Sequence, residues 1–430
     1  LRDARLRSAL LSDAQLRKAI LAGADLTSAD LSRSDLSGAS LRGATLDGAC
    51  LERTTAEGSD FSEARLARAS LQGAKLDGTS FRGAQLVGAS LRGASLDGAT
   101  LISADLRGSD VQEASLHQAN LEEAMLEEAS FVGAKLSEAK LSWSRAARCN
   151  FQDAVLTNAD LRGDFRGATL RRATAHGADL SGADLESADL RNADLEGASL
   201  ERCRLAGADL RKAIIIACRL MDSNLTGVKL QSAKAQRANF CGADMKTSKL
   251  HAADFSDANF GGTSLSGVVA LDAVFDRSNL VAAKLLSSDF RRASFQEADL
   301  SQSDCHRVNF EAANLSRAML QGASFEGAIL QNCVLRGADL RGALLEGCNV
   351  GGGDFEACRI GDKELYGAMD VEAMRGSIIS NCHYCGHCGS AREVWGTKAG
   401  ADAHHKKKHP NLHLQSVPIS IEEGCRRIAT

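Results

Sequence analysis

In residues 178–200, ADLSGADLESADLRNADLEGASL, one five-residue phrase recurs: a small residue, an acid, a leucine and two changeable positions. If the central Leu or Phe is position i, these positions recur every five residues from Leu1 to Leu161. Four residues then separate Leu161 from Phe165, and a second unbroken register runs to Ile360. Of the 33 and 40 central positions in the two registers, 30 and 32 are Leu or Phe, and all 14 phenylalanines of the chain fall there. Position i-2 is mostly Ala, otherwise Ser, Thr, Gly, Cys or Val.

Five residues turn an α-helix by about 500°, which would scatter the leucines around the whole cylinder. On a continuous strand an odd period sends successive leucines to opposite faces. A chain that bends by about 90° once per phrase closes a four-sided coil in four phrases, and every i and i-2 side chain then points to its axis. The pattern therefore predicts an all-β solenoid with an interior column of Leu, Phe and Ala. Side chains 20 residues apart should stack, as Phe255, Phe275 and Phe295 would. Glycine at i+2, as in Gly182, suits a type II turn with positive φ, whereas Glu, Ser and Lys there imply other turn types. Asp and Asn at i-1 suit turns because their side chains bond nearby amides.

These phrases, written A(D/N)LXX over residues 1–360, resemble the pentapeptide-repeat proteins. The resemblance implies a right-handed quadrilateral β-helix. About 18 coils at roughly 4.8 Å spacing give an expected rod on the order of 85 Å long. Coils touch only their neighbours, so stability should be a sum of local terms.

Composition adds exclusions. The formal charge is -4, split as -5 for residues 1–360 and +1 for 361–430, which argues against a general polyanion binder. No run of about 18 apolar residues exists, which excludes a membrane-spanning helix. The chain opens at Leu1 in mid-phrase, so the native N-terminus and any targeting segment stay open. Of nine cysteines before residue 361, Cys149, Cys203, Cys218, Cys333, Cys348 and Cys358 occupy i-2, where they replace Ala as small buried hydrophobes. Dispersed thiols point to an intracellular, reducing compartment, cytoplasm or organelle.

Three features break the monotony. Trp143, at i+2 one coil before the register break, either covers the irregular corner near Gly163 or anchors a partner, since exposed Trp is enriched at binding hot spots. Glu122, Glu123, Glu127 and Glu128 form an acidic group that reads as a solvated face or a contact for a basic partner. His117, His176, His251 and His306 all fall at i+1, outside and dispersed, so no nucleophile and base come together and the chain is not expected to be an enzyme.

After Ile360 the phrase dissolves. Residues 361–376, GDKELYGAMDVEAMRG, suggest a short helical cap across the last coil, and 377–410 a small metal-binding module, with 411–430 as a tail. Cys385 and Cys388 have the spacing of a thiolate knuckle, and His404 and His409 follow on one predicted helix face. The set resembles a single Cys2His2 zinc finger, which implies a bound Zn2+, with Trp395 as its core aromatic and 398–409 as its helix. Its departures are a long loop, Ala401 where the family has a large apolar residue, a rival knuckle at Cys382 and Cys385, and His405 in place of His404 as a ligand alternative. Lys406, Lys407 and Lys408 could touch phosphate or simply favour a helix C-terminus.

The leading expectation is thus a non-catalytic scaffold binding protein partners in a larger assembly. A nucleic-acid adaptor acting through the finger is compatible but not required. Some pentapeptide-repeat proteins mimic DNA and protect topoisomerases; the near-balanced charge here does not suit that role.

Overall fold

The computed structural model describes residues 1–360 and, beyond them, the strand segments 378–379, 383–385, 394–395 and 416–418. The chain forms two compact units, Leu1–Lys229 and Leu230–Thr430.

In the first unit each phrase pairs in parallel with a phrase on the next coil, 20 residues on except for four pairs between Arg145 and Asp179, from Arg5 with Asp25 to Asp209 with Lys229. Four phrases therefore make one coil. The hydrogen bonds explain the phrase. The Leu21 amide donates to the Ser40 carbonyl of the next coil at 2.8 Å, Gly23 to Arg42 at 3.0 Å, and Asp25 to Ala4 of the preceding coil at 2.9 Å. Ala24 closes the corner by donating to the Leu21 carbonyl at 3.0 Å. The amide at i+1 is the fifth donor, and an Asp or Asn at i-1 accepts it, as Asp179 does from Ser181 at 2.9 Å. Every donor of such a phrase is satisfied, which a buried backbone requires.

At the corners other than that at Gly163, φ is positive at i+2 whether or not the residue is glycine: 71° at Gly182, 61° at Glu63 and 60° at Lys212. The expected variety of turns at Glu, Ser and Lys corners is not found. The ladder fixes the corner, and those side chains adopt a left-handed conformation to meet it.

Inward positions are the core. Leu180, Leu185, Leu190 and Leu195 are fully buried, as are the alanines at i-2 beside them. Phe61 stacks on Phe81 with ring centroids 5.1 Å apart, and Phe131 on Phe151 at 5.0 Å, close to the spacing of neighbouring strands. The six i-2 cysteines are buried, and Cys203 Sγ donates to the Leu180 carbonyl at 2.9 Å.

The second unit repeats this architecture, from the Lys234 pairing with Asp254 to that of Asp339 with Arg359. Phe255, Phe275 and Phe295 stack at 5.0 and 4.8 Å. On its surface Asn279 donates to Asn259, and Asn259 to Asn239, at 3.0 and 3.1 Å, a ladder rising through three coils.

Strand β1 (Arg359–Ile360) pairs in parallel with β2 (Ile378–Ile379). Strand β3 (His383–Cys385) lies between β4 (Val394–Trp395) and β5 (Ser416–Pro418), antiparallel to both. The stretch expected to be a tail therefore supplies a strand. No helix occurs among the described residues. The helices expected over 361–376 and 398–409 lie outside them.

Candidate partner-binding groove at the register break

Within the first unit the pairing interval shortens from 20 to 19 residues, from Arg145 with Asp164 to Asp160 with Asp179, and then returns to 20. The missing residue is removed from one corner. Gly163 donates to the Leu161 carbonyl at 2.9 Å, closing a three-residue γ-turn where other corners close over four. Arg162 at its centre is not among the positive-φ residues, which makes this the common inverse form. A Cβ on Gly163 would lie 2.6 Å from the Ser144 carbonyl oxygen, so only glycine fits without a shift.

Trp143 sits on the coil before, and its amide donates to the Arg162 carbonyl at 2.7 Å. Trp143 is 74% exposed, so its indole buries little of its own surface against the tightened corner. Its φ is 61°, a conformation in which a bulky residue is an outlier. Next to it opens a concavity of about 750 Å³, lined by Trp143, the Gly163 and Gly182 corners and several arginines.

Most of those arginines are engaged. Arg162 holds Asp160 with a two-pronged fork at 2.8 and 2.5 Å, and Arg166 holds Asp164 in the same way at 2.9 and 2.7 Å. Burial alone would raise the Asp160 carboxyl, but the hydrogen bonds and charge of Arg162, with a hydrogen bond from Ser142, together hold the group below the ordinary carboxylate value. The hydrogen bond from Arg166 does the same for Asp164 against a smaller effect of burial. Arg204 spans Asp184 and Glu186, each at 3.2 Å, and Arg145 meets Glu127 at 2.9 Å. Arg202, also in the lining, has no ion pair among the described residues.

The acidic group is partly neutralised: Glu128 pairs with Arg148 at 2.7 Å, as Glu127 does with Arg145. The histidines are less isolated than their spacing suggests. His176 Nε2 lies 2.8 Å from Asp194, and with Glu196 these groups place ligand-type atoms within 4.8 Å of one another on the surface. His306 bridges Asp304 at 2.6 Å and Glu326 at 3.2 Å, and the Asp304 hydrogen bond raises its pKa. The signal was available in the 18- and 20-residue separations, which place side chains on adjacent coils.

Of the expected zinc ligands only Cys385 falls in a described segment, at the end of β3. Cys388, His404, His409, the alternatives Cys382 and His405, and Lys406, Lys407 and Lys408 lie outside the described residues.

Twenty-residue coils, four corners and an aliphatic axis define a β-helical solenoid with its variable chemistry on the outside. The models for pentapeptide repeats match in stretches that cover nearly all of 1–191 and all of 253–360, and that for the pentapeptide repeat region matches 193–269. The chain belongs to the pentapeptide-repeat family, whose fold is the right-handed quadrilateral β-helix. Among solved structures it is similar to HetL, a pentapeptide repeat protein involved in heterocyst differentiation regulation in the cyanobacterium Nostoc. Identity there is 30% over 49% of this chain and 89% of HetL, with a TM-score of 0.25. It is also similar to the plasmid-mediated fluoroquinolone resistance protein QnrB1, at 16% identity over 41% of this chain and 91% of that one, with a TM-score of 0.26. A pentapeptide repeat protein of the Arabidopsis thaliana thylakoid lumen is 29% identical over 30% of this chain and 64% of its own, with a TM-score of 0.12. Among curated proteins none matches significantly.

Proposed function

We propose that this protein is a non-catalytic scaffold that binds protein partners through the outer side chains of its coils, within a larger assembly. The observation carrying the reading is the groove at the register break, where an exposed, conformationally costly tryptophan stands on an otherwise regular and largely ion-paired surface. Large aromatics that a fold does not bury are typical anchors of protein interfaces. The surface argues against DNA mimicry: arginines at i+1 fork onto the aspartates at i-1, as Arg107 does onto Asp105 and Arg191 onto Asp189, and so dilute any phosphate-like array.

The C-terminal part of the proposal is a Zn2+-stabilised module built by Cys385, Cys388, His404 and His409. It is supported by the antiparallel pairing of β3 and β4, with Cys385 at the end of β3 and Cys388 three residues on in the sequence. The buried, unpaired thiols suit a reducing compartment.

One preparation tests both parts. Cross-linking in the native source, followed by mass spectrometry, should join outer residues of the coils to defined protein partners, and metal analysis should find about one zinc per chain. Recovery of the protein alone would sink the scaffold reading; metal-free protein would sink the zinc module.

A further inference from the structure

The corner residues at i+2 on four successive coils of the first unit are Trp143, Gly163, Gly182 and Arg202. Two side chains bracket two corners that have none, which is why the surface is hollow there. Three strand spacings separate the ends, about 14 Å, or roughly four residues of extended chain. Charge decides what fits. Arg145, Arg162, Arg166 and Arg204 are each paired with carboxylates of the protein itself, and Glu201 is held by Arg219 at 2.8 Å. Arg202 at the far end has no such partner among the described residues.

We propose that this trough binds an extended segment of a partner protein that carries a single acidic residue, with an apolar side chain against Trp143 and, about four residues away, the carboxylate on Arg202. A nucleic acid fits less well: Asp164, Asp184 and Glu201 would face its phosphates, and one unpaired guanidinium does not neutralise a chain of them. The occupant rests on the scaffold reading above and names the partner chemistry of one surface.

The test uses the full chain and fluorescence anisotropy at low ionic strength. The labelled probe is Ser-Phe-Ser-Gly-Ser-Asp-Ser, its counterpart has Lys for Asp, and an oligo(dT) strand is the third ligand. The Asp peptide should bind saturably and the Lys peptide about tenfold more weakly. Trp143→Ala should weaken the Asp peptide by a similar factor, and Arg202→Glu should reverse the preference between the two peptides. Equal binding of both peptides, no binding of the Asp peptide at millimolar concentration, or displacement of it by oligo(dT) would overturn the proposal. If partners cross-linked in the native source stay bound to the Arg202→Glu and Trp143→Ala variants, the scaffold reading stands and this occupant alone falls.

Discussion

Each corner residue at i+2 answers to the ladder before it answers to its own preferences. The left-handed region costs a residue with a Cβ roughly 1–2 kcal/mol, and the coils accept it at Glu63, Lys212 and many other corners. Glycine removes that cost but gives up some order in the unfolded chain, about 0.4–1 kcal/mol, so the exchange is near balance at an open corner. Trp143 is the extreme case because its side chain, 74% exposed, recovers little burial for its strain. Trp143→Gly should therefore leave the melting temperature unchanged or slightly higher while weakening peptide binding in the trough about tenfold. Circular dichroism melting checks this: a fall of several degrees would mean that the indole is a structural cover after all. Leucine at i and alanine at i-2 were legible in the sequence because burial admits few alternatives. The corner conformation was not, because Glu and Lys carry no mark of positive φ until the ladder imposes it.

The register break belongs to the level of the turn. Its position could be counted directly, since four residues separate Leu161 from Phe165. What counting could not show was how the residue is lost: a γ-turn at Leu161–Gly163 that brings the glycine against the backbone of the coil before. Nor could it show that two corners without side chains would leave a trough beside Trp143, which depends on stacking across coils. Gly163→Ala forces a Cβ to 2.6 Å from the Ser144 carbonyl oxygen, a backbone atom that cannot rotate away, at a cost on the order of 1–3 kcal/mol. Gly182→Ala is the control, because its Cβ would meet nothing within 4 Å and only the φ of 71° is strained, about 1 kcal/mol. Thermal melting should rank Gly163→Ala as the more damaging and limited proteolysis should cut first near the tightened corner. The opposite ranking would mean that the neighbouring coil gives way easily. The proposed zinc ligands beyond Cys385 rest on spacing alone, and spacing without a described backbone places no side chain.

Across the whole molecule the buried thiols couple stability to alkaline pH. Burial pushes Cys203 and Cys218 in the first unit, and Cys305, Cys348 and Cys358 in the second, from 9.0 up to about 12. In the unfolded chain these thiols ionise near their ordinary value, while in the coils they stay neutral. Ionisation thus favours the unfolded state. The stability each protects is fully present below about pH 9 and is lost as the pH rises from there towards 12, by about 1.4 kcal/mol per unit and per thiol. Alanine is the ordinary occupant of i-2, so Cys203→Ala with Cys218→Ala should fold well, losing only the thiol hydrogen bonds to the Leu180 and Leu195 carbonyls. In this variant the melting temperature should fall less steeply between pH 9 and 11 than in the wild type, with the two curves converging below pH 8. Because each coil rests only on its neighbours, the difference should appear in the melting of the unit that carries these two residues. Parallel curves across the whole range would mean that solvent reaches the thiols at the axis, and with it would go the picture of a dry aliphatic column.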